Sequence, residues 1–204
     1  NMIRILTTAI LGILLSGTMN SLAQGFEGVI DFRKTNDLVE STYYRYSVKG
    51  DKVRVDEMTE DDEIVATLLV DLEKKEMLAL SHERNLYMVR EYKSYEVSDP
   101  NMEVTKSQNS KVILGKKCEQ WRVKNKKENT VVSYWVTEGN YNFFPQLLDV
   151  LGRKDNFATY YQSVPGIENV FPMSATERDL FRNVKGKLEV VAIQEKTMDD
   201  DLFE

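Results

Sequence analysis

Alternation is the feature that most restricts this chain. From Phe26 to Val136, apolar and polar residues take turns over short runs, and turn-forming residues interrupt them at regular spacing. Such punctuation predicts antiparallel strands joined by tight connections, in an all-β sheet or barrel. Phe26, Gly28, Ile30 and Phe32 alternate with Glu27, Val29, Asp31 and Arg33, giving one apolar and one mostly polar face. The tyrosine-rich run Thr42–Lys49 leads into Gly50-Asp51, a strong hairpin-turn signal, and then into Lys52–Met58. Ile64–Asp71 differs, because Val65 and Leu69 make its second face partly apolar, the pattern of a strand covered on both sides. Leu72–Lys75, His82–Asn85 and Asp99–Asn101 read as connections around the strands Met77–Leu80 and Leu86–Val97.

The stretch Lys111–Val136 carries the single cysteine and both tryptophans. It reads as one hairpin, Ile113–Val123 and Thr130–Val136 around a polar turn at Asn125–Asn129. Its apolar parity switches part-way: Val112, Leu114 and Cys118 share one face, Trp121 and Val123 the other. Either a bulge or kink near Gly115 or a strand buried on both faces satisfies that pattern.

After Val136 the period changes. Phe144, Leu147, Leu148 and Leu151 recur at helical spacing within Tyr141–Arg153, and Pro145 suits the first turn. Asn156–Tyr161 reads as a second helical turn, and Val170–Glu177 and Lys187–Lys196 return to strand. The expected fold is therefore mainly β (α+β). It is a strongly curved antiparallel sheet or half-barrel of about nine or ten strands, with one or two short helices against its concave face.

The ends bound compartment and class. Arg4, the apolar run Ile5–Leu15 and the small residues of Ser21-Leu22-Ala23 predict a signal peptide over residues 1–23, cleaved before Gln24. Residues 24–204 then form a single β-rich domain. Leu15-Ser16-Gly17-Thr18 has the shape of a lipoprotein box with threonine in place of the lipidated cysteine, so the mature chain is expected to be soluble, in the periplasm or secreted. It contains no second apolar span, hence no transmembrane helix is expected. Removing residues 1–23 takes away Arg4 and no acid, so the formal charge moves from −6 to −7. That balance, with lysines interleaved among acids as in Lys124–Glu128, argues against nucleic-acid binding.

The same counts narrow the chemistry. One cysteine, Cys118, allows no internal disulfide, and one histidine, His82, leaves the familiar triads and zinc spacings without their residues. Cys118 reads as a small buried hydrophobe. The acidic run Glu60–Glu63 lacks the spacing and central glycine of a calcium loop and reads as a solvated turn. No metal, cofactor or catalytic residue is assigned, and the protein is expected not to be an enzyme.

The phrase Ile113-Leu114-Gly115-Lys116-Lys117-Cys118-Glu119-Gln120-Trp121, followed by Ser133-Tyr134-Trp135-Val136-Thr137, resembles the DUF4412 family of exported bacterial proteins. Lys116 stands where family members usually carry an aromatic residue, and Leu202-Phe203 matches the start of the family's C-terminal motif. By overall pattern the chain is more distantly similar to the lipoprotein-carrier (LolA-like) superfamily, in which a curved sheet cups helices and holds acyl chains. That resemblance implies a binding or carrier protein for an apolar ligand such as a lipid. Trp121, Tyr134, Trp135, Phe143, Phe144, Leu147 and Leu148 would line its pocket, with Trp121 at the rim. The same residues serve equally as a filled aromatic core, in which case the protein is a structural or partner-binding component of the envelope. The tyrosines Tyr43, Tyr44, Tyr46, Tyr87, Tyr92 and Tyr95 would then offer an exposed stripe to a protein partner.

Overall fold

Every strand in the computed structural model pairs antiparallel with its neighbours. Residues 25–36, 40–81, 86–94 and 99–204 are described; the leader, His82 and Tyr95 lie outside them. The first six strands are β1 (Gly28–Asn36), β2 (Glu40–Lys49), β3 (Lys52–Met58), β4 (Ile64–Asp71), β5 (Glu76–Ser81) and β6 (Leu86–Arg90). Five more follow: β7 (Met102–Ile113), β8 (Lys116–Asn125), β9 (Thr130–Glu138), β10 (Val170–Arg178) and β11 (Val184–Glu195). Two helices, α1 (Phe143–Leu151) and α2 (Asn156–Gln162), lie between β9 and β10.

The eleven strands form one sheet in the order β6-β5-β4-β3-β2-β1-β11-β10-β9-β8-β7. Two meanders run outward from a common seam, where β1 pairs with β11. The outer edges β6 and β7 do not pair, so the sheet curls without closing. This is the mainly β half-barrel that the alternation predicts, with slightly more strands than expected.

The difference arises at Gly115. Leu114 and Gly115 have φ of 48° and 77°, and they link β7 directly to β8, with Ile113 opposite Lys116. Two successive positive-φ residues make the two-residue turn whose twist suits a hairpin. The switch between Cys118 and Trp121 lies within β8, opposite a bulge in β7 between Lys106 and Ser110; what the alternation hides is the turn inside what reads as one strand. A leucine in a left-handed conformation gives no sequence signal for it. By contrast, Gly50-Asp51 closes the β2–β3 hairpin as expected, with Lys49 opposite Lys52. The second apolar face of β4 also has another cause: β4 lies third from the β6 edge, and Ile64 and Val65 are exposed rather than covered.

Ile30, Phe32, Val48, Val53, Val123 and Val132 are buried in the sheet's share of the core, and the helices supply the rest. In α1, Phe143, Phe144, Leu147, Leu148, Val150 and Leu151 are all buried. A helix of this length is marginal alone in water, and burial of each large apolar side chain contributes about 1.5–3 kcal/mol, so packing holds it. It ends earlier than its pattern suggests because Gly152 adopts φ 56° and ψ 36° and returns its N–H to Leu148 O at 3.1 Å. Asp155 caps α2 by accepting from the Ala158 N–H. The C-terminal turn Asp200–Phe203 lies against β3, tied by Lys49 Nζ to Met198 O at 2.8 Å and to Asp200 at 2.7 Å.

Candidate functional site

Trp121 and Tyr134 are direct partners across β8 and β9, so their side chains share a face. The Tyr134 hydroxyl donates to Phe157 O of α2 at 2.9 Å, and its ring meets Tyr161 edge-on at 5.4 Å. Trp121 is 6% exposed, with Lys106 Nζ 4.0 Å over its ring and donating to Pro165 O at 2.8 Å. Trp135 follows Tyr134 in the strand and so points to the opposite face, where Lys111 Nζ lies 4.4 Å over its ring. Phe143 packs on Phe26 and Phe171 at 5.8 and 6.2 Å. Phe144 meets Tyr161 and Phe171 edge-on at 5.5 and 4.8 Å.

The space left between sheet and helices is about 50 Å³. A cavity of that size holds a few waters, whereas a typical small-molecule pocket has about 300–1,000 Å³. The core beneath the lid is therefore almost filled. Tyr134, Phe144 and Leu148 line the cavity; Trp121, Trp135, Phe143 and Leu147 do not. The remaining apolar wall comes from Phe32, Tyr46, Phe157, Tyr161 and Leu188. Phe32 lies on the apolar face that alternation identifies in β1, and Phe157 and Tyr161 on the short second helix. That they meet across more than a hundred residues is a tertiary fact.

Charge enters on one side only, through Lys34, Arg153 and Asp155. Lys34 Nζ is 3.7 Å from Asp155 and 5.7 Å from the Phe157 ring centre. The Arg153 guanidinium lies 5.3 Å over the Tyr44 ring. Outside this rim is a groove of about 340 Å³, walled by Asp99, Asn125, Glu128, Lys154 and Thr159 among others. Leu148 and Arg153 line both spaces. Burial pushes the Tyr46, Tyr134 and Tyr161 hydroxyls above the ordinary tyrosine range, so all three are neutral donors near pH 7.

Cys118 has no exposed surface, and burial pushes its thiol up, which suits packing and not nucleophilic chemistry. Among the described residues no group of three His, Cys, Asp or Glu could hold a metal ion, and no helix is long and apolar enough to cross a membrane. Among the described residues the tyrosines are not gathered into a stripe. Tyr43, Tyr44 and Tyr46 sit on β2, with Tyr46 in the core; Tyr87 is 75% exposed on β6, at the sheet's far edge; Tyr92 contacts α1.

The sequence pattern of DUF4412, a domain of unknown function, matches residues 26–204. The chain belongs to the DUF4412 family. No curated protein matches the sequence of this DUF4412 protein. Among solved structures, an uncharacterized conserved protein from Thermus thermophilus is similar at a TM-score of 0.51 and 9% identity, over 89% of this chain and 85% of that one. The complex of MucA and MucB from Pseudomonas aeruginosa aligns at 0.49 and 8% identity, over 86% of this chain and 54% of that one. A LolA superfamily protein from Nitrosomonas europaea aligns at 0.35 and 8% identity, over 90% and 91%. At 9% identity the likeness to the Thermus thermophilus protein is one of fold alone.

Proposed function

We propose that this DUF4412 protein is an exported, non-enzymatic binding or carrier protein for an apolar ligand such as a lipid or acyl chain. One observation carries this reading: the cavity under the helices is walled by aromatic and aliphatic side chains, and its charges are confined to one rim beside an open groove. That polarity matches a ligand with one polar end. A volume of about 50 Å³ describes a closed state, so a bound chain displaces α1 and α2 from the sheet. Both helices are short enough to depend on packing, which makes them the movable part. Residues 24–204 act after removal of the leader, in the periplasm or outside the cell.

Native mass spectrometry of gently purified protein is expected to show a lipid adduct, and a fluorescent fatty acid to bind saturably. Absence of both overturns the reading. A second reading, a protein that binds an envelope partner, is favoured by the β6 edge, where Leu86, Tyr87, Met88 and Val89 are all exposed beside unpaired backbone. Cross-linking in whole cells from a cysteine placed at Tyr87 separates the two, since a carrier without a partner gives no discrete adduct.

A further inference from the structure

We propose that Arg153 is the head-group anchor of a single-chain anionic amphiphile, a carboxylate or phosphate monoester carried on an acyl chain. The inference rests on the carrier reading and adds the ligand's charge and the residue that reads it. Gly152 turns the chain out of α1 in a left-handed conformation, and Arg153 is thereby laid over Tyr44 instead of projecting from the helix. Among the described residues no carboxylate lies within ion-pair distance of its guanidinium. Three arginines of the sheet do have one: Arg33 with Glu189 at 2.9 Å, Arg45 with Asp31 at 2.8 Å, and Arg54 with Asp56 at 2.8 Å. Arg153 has as partners Tyr44 and the more distant charge of Asp155, and a partly buried guanidinium with no anion in contact is costly to keep.

Of the acids near this rim, Asp155 acts on Arg153 through space and Glu57 stands opposite Tyr44 on β3, neither within ion-pair distance of the guanidinium. Asp155 accepts from the Ala158 N–H and faces Lys34. Asp149 accepts from Tyr92 and Lys75. Asp99 accepts from Asn101 and Asn125, and Glu128 from Tyr160. Arg153 stands on the wall between the apolar cavity and the outer groove. An anionic head in the groove would meet the planar fork of the guanidinium, which suits carboxylate and phosphate alike. Its chain would follow Leu148 inward beneath the displaced helices.

The test compares oleate, 1-oleoyl lysophosphatidate and uncharged 1-oleoylglycerol, each below its micelle concentration, against the whole protein. The two anions are expected to bind about tenfold or more tighter than the glycerol ester, the margin of a charged hydrogen-bonded contact. Arg153→Met should remove that margin, weakening both anions relative to 1-oleoylglycerol, while Arg153→Lys keeps part of it. If only one anion shows the margin, the anchor is supported and the head group identified. If all three bind wild type alike, or Arg153→Met weakens all three equally, the anchor is overturned while the carrier reading stands. If wild type binds none, the carrier reading itself fails, and the anchor with it.

Discussion

Trp121 and the buried tyrosines set the behaviour of the core at the scale of single residues. Because Trp121 is buried beneath Lys106, Trp121→Ala is expected to cost about 3–5 kcal/mol in urea unfolding. A loss below about 1 kcal/mol would instead place the indole at a compliant surface. The tyrosines predict a response to alkali. Burial raises the Tyr160 hydroxyl to about 12, and Tyr134 and Tyr161 are raised as well. Unfolded tyrosine ionises near pH 10, so between about pH 10 and 12 the unfolded chain has released protons that the native state retains. Their contribution to stability is complete below about pH 10 and is lost as pH rises through the folded value. Tyrosinate absorbance should therefore have a component that appears together with unfolding. Full titration of every tyrosine near pH 10 in a folded protein would contradict this.

At the scale of elements, α1 lines the cavity through Phe144 and Leu148, and one clasp holds its outer end. Tyr92, just beyond β6, donates to Asp149 Oδ2 at 2.9 Å, and Lys75 from the β4–β5 turn reaches the same carboxylate at 3.1 Å. Lys75 also lies 4.5 Å over the Tyr92 ring. The clasp joins helix, strand edge and turn, so it resists outward movement of α1. Tyr92→Phe removes a hydrogen bond worth about 1 kcal/mol. Hydrogen exchange of the α1 amides should then accelerate about fivefold, the factor that 1 kcal/mol sets, with the β1–β11 seam unchanged. Equal acceleration across the sheet would mean that Tyr92 stabilises the whole fold and not the lid.

At the scale of the whole molecule, stability depends on the seam where the chain's two meanders meet. β1 and β11 are far apart in sequence and fuse them into one sheet. Gly28 stands there with φ of 150°, and a Cβ at that position would lie 2.0 Å from Gln194 O. Gly28→Ala must therefore shift backbone in β11, at a cost on the order of 1–3 kcal/mol or more. Thermal unfolding should drop accordingly. Gly50→Ala is strained too, by its φ of 54°, but a Cβ there meets nothing within 4 Å, so hydrogen exchange of the β1 and β11 amides should stay unchanged. Equal acceleration of those amides in the two variants would remove the seam from its special place.

What the residues determine by themselves is local. Period-two alternation and the Gly50-Asp51 turn specify antiparallel hairpins, and helical spacing after Tyr141 specifies α1, because backbone geometry couples directly to which side chains share a face. The turn at Leu114-Gly115 escapes that reading, since leucine seldom adopts a positive φ. Register also fixes that Trp135 faces away from Tyr134, which rules out both as walls of one pocket. The rest belongs to tertiary structure. Which strands remain unpaired at the edges, how little space is left under the lid, and the meeting of Lys34 with Arg153 and Asp155 all follow from the β1–β11 closure. That closure is a long-range contact whose partners carry no local mark, so the rim that gives the cavity its polarity becomes legible only once the sheet has curled.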